Sequence, residues 1–105
     1  MSVAPNGGRW GHFNAFVDGA MARLKPAQVR VWVVLYRDAR SGEYAGKAGM
    51  FARTAQTDIA ARAGLSVRSV KLAVAGLVAA GLLRVVKRGR LNCGPSVYKI
   101  RGRAS

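Results

Sequence analysis

Cationic side chains dominate the chemistry available to this sequence. Eighteen Lys and Arg residues stand against four Asp and Glu residues, which gives a formal net charge of +14. An excess of this size raises the local concentration of polyanions around a protein. Nucleic acid is therefore the first partner to consider, and an anionic lipid surface is the second.

The residue types that catalyse reactions or hold metals do not cluster. His12 is the only histidine and Cys93 the only cysteine, so the sequence lacks a set of three or four metal ligands. The acids are scattered, and no Ser or Cys nucleophile has an evident local partner. The acids are Asp18, Asp38, Glu43 and Asp58. We therefore expect neither an enzyme, nor a cofactor, nor a bound metal.

A glycine-rich segment from Gly42 to Ala48 partly matches a phosphate-binding loop. Its spacer is one residue short, and Ala48 stands where such a loop needs a hydroxyl for magnesium. The segment therefore does not predict a nucleotide site.

Two features bear on the compartment. The longest apolar run, from Ala73 to Leu83, falls well below the roughly 20 residues that a membrane-spanning helix needs. The N-terminus lacks the charged-then-apolar pattern of a signal peptide. A lone cysteine fits a reducing compartment, so we expect a cytoplasmic protein.

The chain has the size of one domain. Its 105 residues, half of them hydrophobic, suffice for a single core. We expect a flexible N-terminal arm over residues 1–11, the folded domain over residues 12–100 and a basic tail over residues 101–105.

Two helices are predicted in the first part of the chain. Apolar residues at helical spacing indicate a helix over residues 12–24, and Pro26 suits the first position of a second helix that runs to Arg40. The apolar centre of the second helix, residues 31–36, is also rich in β-branched residues, so a strand is the alternative. We expect Trp10 and Trp32 to be packing groups.

Two more helices and a hairpin are predicted in the second part. Residues 41–53 read as a loop with room for a short strand near Met50. Thr54 can cap a third helix that ends at Gly64, and Ser66 can cap a fourth that ends at Gly81. On the fourth helix one apolar face is predicted, formed by Val67, Val70, Val74, Leu77 and Val78. Residues 82–87 and 96–100 then form a hairpin with a basic tip.

The segment from Gln56 to Leu77 has the spacing of a helix-turn-helix. Two helices that cross at a short turn require a small residue such as Ala60 at the contact and favour a left-handed residue such as Gly64 in the turn. Ile59 and Ala63 then pack inward from the first helix. Val70 and Val74 anchor the second helix.

With these motifs the chain resembles the winged helix-turn-helix superfamily, and especially the DNA-binding domains of phage and plasmid replication or regulatory proteins. The resemblance covers residues 13–100. The matching motifs are Thr54, Ile59-Ala60, Gly64-Leu65-Ser66, Leu77 through Gly81-Leu82-Leu83, and Ser96 with Tyr98. It implies a mostly α fold with a small β-hairpin and sequence-specific binding of double-stranded DNA, as in a transcriptional repressor or regulator or in a plasmid or phage maintenance or replication factor.

The resemblance also implies which residues contact DNA. Base contacts from the fourth helix fall to Ser66, Arg68, Ser69, Lys71 and Leu72. Arg68 is the strongest candidate, because its planar fork can grip two acceptors of guanine. Contacts to phosphates or the minor groove fall to Thr54, Thr57, Lys87, Arg88, Arg90, Arg101 and Arg103. Many relatives place a basic residue where this chain has Leu72, which could contact a thymine methyl, complete the core or meet another subunit.

Three further expectations concern partners. A DNA-binding domain of this kind is expected to act as a homodimer on two half-sites about 10 base pairs, or a multiple of that, apart. The main alternative is a winged-helix module that docks a replication or partition protein and has only non-specific affinity for DNA. Structured RNA ranks lower, because the sequence lacks the aromatic sheet pattern of common RNA modules.

Overall fold

The computed structural model describes residues 8–44, 46–88 and 95–102. Helix α1 spans Gly8–Ala15 and continues through a π-helical turn, Phe16–Ala20, and a 3-10 turn, Met21–Arg23. The other helices are α2 (Pro26–Asp38), α3 (Gln56–Ala63) and α4 (Val67–Ala79). The strands are β1 (Arg40–Tyr44), β2 (Lys47–Thr54), β3 (Leu83–Lys87) and β4 (Ser96–Ile100).

The four described strands form one antiparallel sheet in the order β1-β2-β4-β3. Helices α2, α3 and α4 pack on one another, and α2 and α4 also contact the sheet. The expectation of helices with a β-hairpin is confirmed, since β3 pairs with β4, but the sheet is twice as wide as predicted. Among the described residues, no helix has the length and apolar content to cross a bilayer.

Trp32 lies at the centre of the core. Its side chain is fully buried and stacks on Phe16, with ring centroids 3.7 Å apart and ring planes 5° from parallel. Tyr36 also stacks on it, with ring centroids 5.1 Å apart. Phe13 in turn contacts Tyr36 at 5.4 Å, so aromatic contacts join α1 to α2. The helix predicted from Pro26 is confirmed, although it ends at Asp38 and the predicted last residue, Arg40, begins β1. The strand alternative for residues 31–36 is wrong.

The first helical segment begins at Gly8 rather than at residue 12. The apolar spacing that predicted it starts only at Phe13. Trp10, near the N-terminal end, is 64% exposed and contacts Phe13 edge-on at 5.9 Å. Trp10 therefore packs on Phe13 at the edge of the fold and is not part of the buried core. The prediction for Trp32 is confirmed.

Residues 41–53 form most of a β-hairpin, so the predicted loop is wrong, although the short strand allowed near Met50 is present as part of β2. Five residue pairs join β1 to β2, from Arg40 with Phe51 to Tyr44 with Lys47. Gly46 at the turn has φ of 79°, which glycine adopts without steric cost. Further pairs join β2 to β4, from Phe51 with Lys99 to Thr54 with Ser96. The pairing of β2 with β4, which lies far along the chain, stabilises strands that the local sequence does not predict.

Two other predictions about helix positions are wrong. The residue that precedes α3 is Ala55, which makes no side-chain cap, while Thr54 is buried at the end of β2. Thr54 therefore neither caps α3 nor presents its hydroxyl to a phosphate. On α4, Val78 is 41% exposed, because it lies one step around the helix from buried Leu77.

The end of β4 is tied to three other elements. The Arg101 amide donates to the Leu82 carbonyl at 3.0 Å, and the Trp32 indole donates to the Arg101 carbonyl at 2.9 Å. Gly102 is buried, and a Cβ there would come within 2.0 Å of the His12 carbonyl oxygen. Burial, with the Arg101 charge nearby, lowers the pKa of His12. The first residues of the predicted tail thus belong to the folded domain.

Candidate nucleic-acid interface

Helices α3 and α4 are joined by a three-residue turn, Gly64 to Ser66. Gly64 has φ of 71°, as its predicted role requires, and the Leu65 amide donates to the Ala60 carbonyl at 2.9 Å. Ala60 is 7% exposed, consistent with a small residue where helices meet. Helix α2 also contacts the end of α3, because the Arg30 guanidinium donates to the Ala63 carbonyl at 3.3 Å. The predicted helix-turn-helix segment is confirmed as two helices with this short turn.

The N-terminus of α4 is capped as predicted. The Ser66 hydroxyl accepts from the Ser69 amide at 3.0 Å and donates to the Ser69 hydroxyl at 3.0 Å. Such a cap stabilises a helix by about 1 kcal/mol. Both hydroxyls that were predicted to contact bases are thus engaged with each other, and their first role is to fix where α4 begins.

The two sides of α4 differ as the central prediction requires. Val70, Ala73, Val74 and Leu77 are buried. Arg68, Lys71 and Leu72 are exposed; they are three and four residues apart and so adjoin on one face. Leu72 is 64% exposed, which rules out the alternative that it completes the core of this domain. The described residues leave this guanidinium, ammonium and leucine open to solvent together.

The C-terminus of α4 leads directly into the hairpin. Gly81 has φ of 79°, the Leu82 amide donates to the Leu77 carbonyl at 3.0 Å, and the Gly81 amide donates to the Val78 carbonyl at 3.0 Å. This pair of bonds is the Schellman arrangement that ends helices at a left-handed glycine. It places β3 immediately after α4.

The residues predicted to contact phosphates lie in two places. Lys87, the last residue of β3, and Arg88 after it are exposed, as is Thr57 in the first turn of α3. Arg101 follows the opposite end of the hairpin, beside His12. The structure therefore does not bring Arg101 together with Lys87 and Arg88. Arg90 and Arg103 lie outside the described residues.

A polar cluster that the sequence interpretation missed joins α2, β2 and α3. The Arg62 guanidinium donates to both oxygens of the Asp38 carboxylate, at 2.9 and 2.5 Å, and to both oxygens of Asp58, at 3.1 and 3.0 Å. The Thr54 hydroxyl donates to Asp38 at 2.8 Å. The sequence signals only one of these contacts, because Asp58 and Arg62 lie four residues apart and opposite charges at that spacing can pair on a helix. The cluster fixes the orientation of α3, and α3 positions α4.

These bonds shift the ionisation of both partners. The hydrogen bond from Arg62 holds the pKa of Asp38 below its usual range, against the opposing effect of burial, and the Thr54 hydrogen bond acts in the same direction as Arg62. The Asp38 hydrogen bond raises the pKa of Arg62. A carboxyl whose pKa is lower in the folded than in the unfolded state stabilises the fold above its unfolded pKa. That contribution is lost as the pH falls through the folded pKa.

We expect Asp38→Ala to lower the free energy of unfolding by about 1 to 3 kcal/mol, since it removes charge-assisted bonds and leaves the buried Thr54 hydroxyl without its acceptor. Urea unfolding at pH 7 measures the loss. Asp18→Ala removes the same charge from an exposed position and should change stability by less than about 0.5 kcal/mol.

The difference between the wild-type protein and Asp38→Ala should shrink as the pH falls below about 4, near the unfolded pKa of an Asp. A difference that is the same at pH 7 and pH 3 would show that the Asp38 charge does not stabilise the fold. Equal losses for Asp38→Ala and Asp18→Ala would count against the cluster itself.

Comparisons of the chain with protein-family models, with curated proteins and with solved structures found no match. Within residues 8–44, 46–88 and 95–102, no group of three or more His, Cys, Asp or Glu side chains is placed to hold a metal ion.

The chemistry open to the α4 face is hydrogen bonding to acceptors. The Arg68 guanidinium carries donors in a rigid fork, and the Lys71 ammonium is a compact charge with rotatable donors. Both lie on a helix whose start, end and buried face are fixed by the surrounding fold. This face can therefore present donors to a ligand rich in acceptors without rearrangement of the backbone.

Proposed function

We propose that this protein binds double-stranded DNA as a winged helix-turn-helix, with α4 in the major groove and the β3–β4 hairpin on the backbone or in the minor groove. The observation that carries the proposal is the exposed face of α4, where Arg68, Lys71 and Leu72 lie together opposite the buried valines. In helix-turn-helix proteins, the residues near the N-terminus of the second helix contact base edges. Arg68 and Lys71 occupy that part of α4.

The order of elements supports the same proposal. A helix, two antiparallel strands, two helices joined by a short turn, and a hairpin follow one another from α2 to β4. The hairpin strand that follows α4 ends in the exposed cations Lys87 and Arg88. In this arrangement α4 would read bases and the hairpin cations would contact phosphates, which position the protein without specifying sequence. The net charge of +14 favours association with any duplex.

The roles of the individual side chains follow from their chemistry. Arg68 can donate two hydrogen bonds to the O6 and N7 acceptors of guanine, and Leu72 can contact a thymine methyl. Lys71 supplies a charge to a phosphate or a base acceptor. Thr57, at the start of α3, is placed for a phosphate contact. A regulatory, maintenance or replication role and a homodimer on paired half-sites remain part of the proposal.

Arg68→Ala should weaken binding to the preferred duplex by roughly 1 to 3 kcal/mol and relax the preference at one base position. The preferred duplex is first obtained by selection from a random pool, and affinities for it and for a random duplex are then measured across a salt series. Arg68→Lys keeps the charge but loses the bidentate fork, so it should lower the ratio of specific to non-specific affinity and leave the salt dependence nearly unchanged.

Arg23→Ala is the matched control, because Arg23 is an exposed arginine on the 3-10 turn that follows α1. It removes one positive charge far along the chain from α4 and should leave the base preference intact. Unchanged affinity and unchanged preference in Arg68→Ala would remove Arg68 from the interface. No preferred sequence in the selected pool would overturn sequence-specific binding.

A second candidate function rests on Leu72. An apolar side chain that is 64% exposed at the centre of the α4 face also suits a protein interface, where α4 would dock a replication or partition protein. The same salt series separates the two, since phosphate-only binding gives a steep salt dependence with a specificity ratio near one. A ratio near one would favour the interaction module.

A further inference from the structure

The sheet has a second basic surface, on the face that points away from the helices. The helix-facing side carries the buried residues Met50, Ala52, Tyr98 and Ile100. Because strand residues alternate between faces, their neighbours lie on the opposite side, which we call the outer face. The register places six cations there, the sixth by the pairing of Lys87 with Val97 after a bulge in β3. They are Arg40, Lys47, Arg53, Arg84, Lys87 and Lys99.

These cations are arranged across the strands rather than scattered. The register aligns Arg84 with Lys99, Lys99 with Phe51, and Phe51 with Arg40, so one row crosses all four strands. Three interstrand gaps of about 4.8 Å make this row about 14 Å wide. Arg40, Arg53 and Arg84 are exposed.

The described residues of the outer face include no acid. Glu43, the acidic residue of β1, pairs with Ala48 and so lies on the other side of the hairpin. The ion pairs recorded among the described residues are those of Asp38 and Asp58 with Arg37 and Arg62. The outer face is therefore complementary to a polyanion.

Two aromatic side chains lie among these cations. The rings of Tyr44 and Phe51 are 6.0 Å apart at an angle of 40°, and both side chains are partly exposed. Gly42 pairs with Gly49, and this pair lies between the pair that contains Tyr44 and the pair that contains Phe51. A Cβ on Gly49 would come within 2.7 Å of Lys99 and 3.4 Å of the Phe51 ring, whereas a Cβ on Gly42 would meet no atom within 4 Å. Gly42 thus leaves open surface beside the aromatic pair, whereas the Lys99 side chain and the Phe51 ring cover Gly49.

We propose that the outer face binds single-stranded nucleic acid, with bases stacked on Tyr44 and Phe51 and the phosphates held by Arg40, Lys99 and Arg84. Aromatic rings inside a basic groove are the combination that binds single strands, because every base offers a π-face for stacking. In a duplex those faces are already stacked, so the aromatic pair distinguishes this surface from one that attracts phosphates alone. DNA and RNA single strands share this chemistry.

This surface goes beyond the proposed duplex site: it shares Lys87 with the hairpin of that site, but the aromatic pair and the row from Arg40 to Arg84 are its own. Arg68, Lys71 and Leu72 lie on α4, whereas the outer face belongs to the strands. The expectation that the chain lacks an aromatic sheet pattern depended on residues 41–53 being a loop. Once they form β1 and β2, Tyr44 and Phe51 come together on one sheet.

The test measures the binding of labelled single strands by fluorescence anisotropy. The probes are oligo-dT and oligo-U of about 15 nucleotides, within the range that single-strand binding folds occupy, and an abasic strand of the same length. Phe51→Leu and Tyr44→Leu remove one ring each and keep the charge. Each is expected to weaken binding of the base-containing strands by about 5- to 150-fold, with little effect on the abasic strand.

Gly42→Leu tests whether the open surface at Gly42 accepts a base, and it removes neither a ring nor a charge. Because nothing lies within 4 Å of a Cβ at Gly42, the variant should fold normally, which circular dichroism and thermal unfolding check. Its side chain should nevertheless obstruct a stacked base and weaken binding. Tyr44→Phe keeps the ring and should bind as the wild-type protein does.

Arg68→Ala separates a failure of this proposal from a failure of the proposed duplex site. It should weaken duplex binding and leave the binding of single strands unchanged. Equal affinity for the abasic and base-containing strands would overturn the proposal, as would single-strand binding that survives Phe51→Leu and Tyr44→Leu or depends on Arg68. Stronger binding of oligo-dT or of oligo-U would identify the natural strand.

Discussion

Replacing Trp32 with Ala should lower the free energy of unfolding by about 3 to 5 kcal/mol. The side chain is fully buried and stacks on both Phe16 and Tyr36, so its removal leaves a cavity that these rings cannot fill without losing their own contacts. It also removes the indole donor from the Arg101 carbonyl. A loss of this size is a large part of the roughly 5 to 15 kcal/mol that stabilises an ordinary domain.

Trp10→Ala is the matched control, because it removes the same residue type from a position that is 64% exposed. Urea unfolding followed by circular dichroism should show a change of less than about 0.5 kcal/mol for Trp10→Ala. Trp32→Phe keeps a ring in the stack and should cost less than Trp32→Ala. Similar losses in the two alanine variants would show that the stack at Trp32 is not the centre of the core.

The helix-turn-helix segment could be predicted because its signals are local. A left-handed glycine at Gly64, a hydroxyl cap at Ser66 and valines at helical spacing act within a few residues of where they stand in the chain. Each is favourable in the isolated segment and agrees with the others. Sequence patterns of this kind indicate an element before its tertiary contacts are known.

The β1–β2 hairpin could not be predicted in the same way. Its residues include Gly42, Gly46 and Gly49 and few β-branched side chains, so local propensity favours a loop. The hairpin forms because β2 pairs with β4, some 45 residues further along the chain, and that pairing has no local signature. The outer face and its aromatic pair were therefore invisible to the sequence interpretation.

Thr54 shows how a long-range contact overrides a correct local rule. Threonine before a helix often caps it, but here the hydroxyl donates to Asp38, which arrives from the end of α2. The helix instead begins after Ala55 with no side-chain cap. The candidate DNA face of α4 thus follows from local signals, whereas the cluster that orients α3 depends on the tertiary fold.

Val70→Lys and Leu72→Lys test whether the two sides of α4 differ in solution as they do in the structure. Val70 is fully buried, and Leu72, two residues on, is 64% exposed. A lysine kept neutral in the core at pH 7 costs about 4 to 5 kcal/mol relative to an unfolded pKa near 10.4. Val70→Lys should therefore unfold the domain or nearly so, while Leu72→Lys should change stability by less than about 0.5 kcal/mol.

The pH dependence separates charge burial from simple overpacking. The cost of neutralising a buried lysine falls as the pH rises toward its unfolded pKa, so Val70→Lys should regain stability relative to the wild-type protein between pH 7 and pH 10. A bulky apolar replacement, Val70→Phe, should show no such recovery. Since Leu72→Lys adds a cation to the exposed face, it should also strengthen non-specific duplex binding. If the new lysine gains one phosphate contact, the slope of log K against log salt concentration should become steeper by about 0.9. Destabilisation by Leu72→Lys equal to that of Val70→Lys would mean that the face carrying Arg68 is closed to any ligand.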